Sequence, residues 1–91
     1  MKPSVQKGIV AKSQKGRDKG RLFVVLYEMD ADFVMICDGT THPLEHLKKK
    51  RRKHLLPIGA DLPDIIEKYE ANRLLDSDVR KALAVVTEGM S

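Results

Sequence analysis

Tryptophan is absent, and cysteine occurs once, as Cys37, so the chain has no internal disulfide. Nor does any apolar run reach the length of a signal peptide's central region or a membrane span, and together these two lacks point to a reducing cytoplasm. Aromatic residues are scarce: Phe23, Tyr27, Phe33 and Tyr69 are all there are, and the first three lie within apolar segments, where they suit a core better than a stacking platform. Missing too are a Walker-type glycine loop, a serine, histidine and acid arrangement, and paired carboxylates in an apolar setting, which argues against an enzyme and against a cofactor. His42 and His46 are four residues apart, but Pro43 between them opposes a helix presenting both, and Cys37 sits in an apolar stretch, so no metal site is expected.

What the chain does have is positive charge, unevenly spread. Residues 1–60 hold 13 Lys and Arg against 6 Asp and Glu, a net +7, whereas residues 61–91 hold 4 against 7, a net −3. The basic part suits a polyanion, and the acidic part is left to serve the fold or another partner.

A chain of 91 residues makes one small domain, with room for an appendage but not for a large cleft. Residues 5–13, "VQKGIVAKS", read as a first strand with Gly8 as a bulge. The polar, glycine-bearing "QKGRDKGR" that follows is a loop, because Gly16 and Gly20 accept positive φ while Lys15, Arg17, Asp18 and Lys19 are too polar for a core. "LFVVLYEM" and "FVMICDG" are β-favouring runs separated by Asp30, Ala31 and Asp32, and read as a hairpin. Both are apolar on both alternating faces, so something must cover the second face, either the sheet curling on itself or the docked tail. Asp38-Gly39 is a turn, "TTHPLEHL" a short edge strand, "KKKRRK" an exposed segment between barrel elements, and "HLLPI" a closing strand. Five short strands in under sixty residues indicate a small all-β barrel over residues 1–58.

Residues 59–91 switch to helical period. Leu62, Ile65, Ile66 and Tyr69 mark one helix, capped by Asp61 with Pro63 in its first turn. Val79, Ala82, Leu83 and Val86 mark a second, starting at Asp76 or Ser77 and stopping near Gly89. The expected architecture is therefore mainly β, a five-stranded barrel followed by two C-terminal helices, at least one packed on the barrel.

Two basic segments carry the functional reading. Lys12, Lys15, Arg17, Lys19, Gly20 and Arg21 lie in or beside a glycine-bearing loop that lets backbone and cations approach a phosphate chain closely. Lys48, Lys49, Lys50, Arg51, Arg52 and Lys53, extended by His54, form an uninterrupted cationic run whose self-repulsion is relieved by anions. Taken as exposed, these six residues are expected to tolerate joint replacement by alanine without unfolding. Solvated loops, a membrane-surface patch or a nuclear address are the competing explanations for such charges. RNA is favoured over DNA because neither expected helix is basic enough for a major groove, while barrel loops suit irregular and single-stranded shapes. A different class of function, a protein-interaction module of the translation or transcription machinery, also fits a small barrel.

The order "GIVAKSQKGRDKGRLFVVL" followed by "VMICDG" resembles the KOW motif, with Gly20 at the motif's central glycine. Many KOW sequences carry a second glycine three positions later, where this chain has Phe23. Gly20 to Val25 is similar instead to the large-subunit ribosomal branch typical of archaea and eukaryotes, and small bacterial KOW-domain proteins look similar over nearly the whole chain. The resemblance spans about residues 5–58. It implies an SH3-like barrel that binds RNA, ribosomal RNA first of all, with ribosomal proteins as further partners and no membrane or small-molecule substrate.

Overall fold

The computed structural model describes residues 5–89. Five strands, β1 (Ile9–Ser13), β2 (Leu22–Glu28), β3 (Phe33–Cys37), β4 (Lys48–Arg51) and β5 (Leu55–Asp61), precede two helices, α1 (Pro63–Glu70) and α2 (Asp76–Gly89). They form one antiparallel sheet in the order β4-β3-β2-β1-β5. No helix among the described residues is long and apolar enough to cross a membrane.

The edge strands β4 and β5 lie at opposite ends of this order, yet only Arg52–His54, a single turn of 3-10 helix, separates them in the chain. In a flat sheet four inter-strand spacings would put them ~19 Å apart. Three residues rising ~2 Å each cannot bridge that gap. The sheet is therefore strongly curled, bringing its two edges near each other, although no ladder joins β4 to β5 among the described residues.

Curling answers half of the covering problem and the helices answer the other half. One core cluster, Val5, Ala11, Phe23, Val25, Val34, Ile36 and Leu55, contains no helix residue, so the sheet's own far side covers it. On the other face Val10, Val24, Leu26 and Cys37 pack against Ile65 and Ile66 of α1 and Val79 and Leu83 of α2. Burying each such Val, Leu, Ile or Phe contributes ~1.5–3 kcal/mol. Val24 and Leu26 share the helix side by simple alternation, and the register shift between Val25 and Tyr27 changes the facing only of the residues beyond Leu26.

Local chemistry sets the turns. Asp30 Oδ1 accepts the N–H groups of Asp32 and Phe33, both at 2.8 Å, and these bonds hold its carboxyl below the usual range. Asp38 is buried, which pushes its carboxyl up, but bonds from His42 N–H, Thr40 N–H and the Thr41 hydroxyl outweigh that, and it too lies low. Both helices form where periodicity puts them.

Several expected boundaries move. The first strand begins at Ile9, not Val5, because Gly8 at φ 94° leaves the extended region, while Val5 is buried beyond the strand's end. "TTHPLEHL" is no strand: Leu44–His46 forms a 3-10 turn. Asp61 ends β5, which runs past residue 58, so the residue preceding α1 is Leu62, with no side-chain cap and with Pro63 at the first turn.

Candidate nucleic-acid interface

The loop between β1 and β2 is built as a rigid turn. Ser13 N–H donates to Arg21 O at 2.9 Å and Gly20 N–H to Ser13 O at 2.8 Å, closing the base. Within it Lys19 N–H reaches Gly16 O at 3.2 Å, and Gly16 and Gly20 hold φ of 79° and 92°, which a side chain would strain. Its one acid, Asp18, turns inward: both carboxylate oxygens lie 3.3 Å from His42 Nε2, with only 13% and 21% of the two side chains exposed. Lys15, Arg17, Lys19 and Arg21 are left exposed, and none of them forms an ion pair among the described residues.

The second basic segment is not the exposed loop its composition suggests. Lys48–Arg51 is strand β4, in register with β3 so that Lys50 opposes Val34 and Lys48 opposes Ile36. Strand alternation therefore sends Lys48 and Lys50 to the curled face and Lys49 and Arg51 to the other. Lys50 is only 8% exposed, and its Nζ donates to Lys15 O at 3.0 Å, a carbonyl that also accepts the Ser13 hydroxyl at 3.1 Å. Its aliphatic stem lies along the core and the ammonium surfaces at the first loop. Arg52 is likewise internal in function: its guanidinium donates to Asp30 O at 3.2 and 2.7 Å, to Val5 O, and to Glu28 Oε1 at 2.8 Å. The expectation that all six residues are exposed, and jointly dispensable for folding, is thus corrected. An edge strand made of cations has no apolar period by which sequence could reveal it.

These contacts bring the two segments together. Gln14 N–H donates to His54 O at 2.9 Å, continuing the pairing of Ser13 with Leu55. The His54 imidazole is pushed below its ordinary value of 6.5 by partial burial first, then by Lys53, Lys50, Lys15 and Arg51. Cations from both segments thus act on one side chain. Lys53 and Arg51 are exposed beside it.

Lys12, Gly20 and Arg21 belong to another surface. They line a groove of about 490 Å³ against α2, whose Arg80, Leu83, Ala84 and Thr87 form its opposite wall. Arg80, hidden in a tail of net negative charge, is the residue that sequence reasoning missed. Its only sequence signal is its place beside Val79, on the flank of the buried stripe.

Two aromatics also differ from expectation. Phe23 is core, but Tyr27 is 39% exposed and stacked on Tyr69 with ring centroids 6.4 Å apart. Phe33 is half-buried, with Lys49 Nζ 4.4 Å and the Arg51 guanidinium 4.8 Å from its ring centre. Phe33 faces away from the curled interior by alternation with Val34 and Ile36, whereas Tyr27, which alternation with Phe23 and Val25 would place inside, is turned out by the register shift after Val25.

No protein-family model matches the chain, and no curated protein matches it. Function has to come from the surface itself. Among the described residues no three His, Cys, Asp or Glu gather as a metal site, and burial pushes the Cys37 thiol up to about 11. The arrangement has the chemistry of a polyanion grip: rigid loop backbone, cations from two segments that form no ion pair among the described residues, and the loop's only acid engaged elsewhere.

Proposed function

We propose that this protein is an RNA-binding module, an SH3-like barrel with a KOW-type loop and a helical cover, that grips the phosphates of structured RNA, ribosomal RNA foremost. The observation that carries this reading is the meeting of the two basic segments. Lys50 donates to the carbonyl of Lys15, and Lys15, Lys50, Arg51 and Lys53 all act on His54. Concentrated like charge costs stability, and a phosphate chain laid across it offsets that cost through counterion release. Lys15, Arg17, Lys19, Arg51 and Lys53 are the phosphate contacts, while Lys50 and Arg52 hold the platform. The curled sheet, with β4 and β5 joined by one 3-10 turn, supports the barrel assignment. Work on ribosomal RNA sets the protein in the cytoplasm, beside the translation machinery.

Binding of a fluorescent ribosomal RNA fragment, followed by anisotropy from about 50 to 300 mM salt, tests the reading. Log affinity should fall against log salt with a slope of about −0.7 to −0.9 per phosphate contacted. A slope near zero overturns the electrostatic grip. Cosedimentation with ribosomal subunits that survives ribonuclease would favour the protein-interaction module instead.

A further inference from the structure

The groove between the first loop and α2 is absorbed by neither the phosphate grip nor the core. Its cations come from three separate places: Lys12 from β1, Arg21 from the loop residue just before β2, and Arg80 from α2. Its floor is apolar: Leu22 lies directly across the ladder from Lys12, and Arg80, Leu83, Ala84 and Thr87 fall at i, i+3, i+4 and i+7, one stripe of the helix. Arg80 is fixed by donating Nη1–H to Gly39 O at 2.8 Å, which leaves most of its donors for a ligand. The one acid in the lining, Asp38, has its carboxylate occupied by Thr40, Thr41 and His42. At about 490 Å³ the space falls within the range of ligand clefts, ~300–1,000 Å³.

An apolar floor rimmed by three cations matches a nucleotide, with a flat base below and a phosphate above. In a duplex the base face is stacked and out of reach, so only an unpaired nucleotide presents both parts. Gly20 and Arg21 belong to the same loop as Lys15, Arg17 and Lys19, so the groove opens beside the loop that carries half of the phosphate grip. Resting on the RNA-binding reading above, we infer that this groove receives one unpaired nucleotide of the bound RNA, its base on Leu22, Leu83 and Ala84 and its phosphates on Lys12, Arg21 and Arg80. The module then selects RNA with a bulge or loop beside a helix over fully paired RNA, and does so through its acidic tail.

Two RNAs of equal length test this, a blunt duplex and the same duplex carrying an internal unpaired loop, with anisotropy on the wild-type chain and on Ala84→Glu. Ala84 is exposed on its helix, so the substitution adds charge and bulk to the groove without entering the core. The wild type should prefer the looped RNA about tenfold, and Ala84→Glu should abolish that preference while leaving duplex binding unchanged. The salt slope on looped RNA should also shrink by about 0.7 for each phosphate that the variant no longer neutralises. Preference retained in the folded variant overturns the inference. Equal wild-type affinity for both RNAs overturns it alone, whereas no binding to either overturns the RNA reading as well. Should Ala84→Glu fail to fold, 4-thiouridine placed in the RNA loop and irradiated with the wild-type chain decides the matter. Crosslinks on residues 83–87 are expected, and crosslinks confined to residues 48–54 refute the proposal.

Discussion

Lys50 separates a platform residue from a ligand, and two substitutions there measure the difference. Lys50→Met keeps the buried stem and removes the ammonium that donates to Lys15 O at 3.0 Å. A hydrogen bond from a charged donor is worth ~1.5–3 kcal/mol. Two effects reduce that here: the Lys15 carbonyl keeps its bond from the Ser13 hydroxyl, and removing one positive charge relieves repulsion among Lys15, Arg51 and Lys53. The net loss should be ~1 kcal/mol, a fall in Tm of ~4–8 °C for a domain of this size. Lys50→Ala also discards about three buried methylenes at ~0.8 kcal/mol each, so its loss should approach ~3 kcal/mol. Urea unfolding followed by circular dichroism, with an unchanged m-value as the check on two-state behaviour, reads both. In RNA titrations Lys50→Met should leave the salt slope nearly intact, whereas Lys53→Ala should reduce it by about 0.7–0.9. If Lys50→Met leaves Tm unmoved and lowers the slope as much as Lys53→Ala does, Lys50 is itself a phosphate ligand and the assignment of roles is wrong.

His54 should titrate below 6.5 in the free protein by NMR, so whatever stability it contributes is complete above that pH and is lost as pH falls below it. Lys15→Ala should move that titration upward, and RNA should do the same, so affinity should rise as the solution is acidified; an unmoved His54 in Lys15→Ala would separate the two basic segments. Gly39→Ala should lower Tm by ~10 °C or more in a thermal melt, since a Cβ there meets Asp76 O at 2.6 Å and Arg80 Cγ at 3.0 Å on a backbone at φ 79°. A fall of only a few degrees would mean that α2 shifts freely, and the groove wall would not be fixed.

Much of this molecule is written in short-range chemistry. The β-favouring runs around Val24 and Ile36, the Asp30 turn, the Asp38-Gly39 turn and the two helical stripes follow from residues within a few positions of one another. The loop at Gly16–Gly20 is legible for the same reason, since positive φ and high polarity are properties of the segment itself. The charged run at Lys48–Lys53 shows where such reasoning fails. Six cations carry no hydrophobic period, so nothing local distinguishes a solvated loop from an edge strand.

What the sequence by itself determined is four of the five strands, both helices, most of the turns, and the excess of positive charge in the first sixty residues. Only the tertiary structure decided which cations are free. Pairing of β4 with β3 turned Lys50 toward the interior, the Asp30 turn and the end of Val5 captured Arg52, and the packing of α2 on β2 carried Arg80 to the side of Lys12 and Arg21. The physical reason is that alternation in a strand, or a stripe on a helix, defines two sides without naming which one meets the core. That choice is made by contacts between residues far apart in the chain, and it is the choice that separates struts from ligands on this surface.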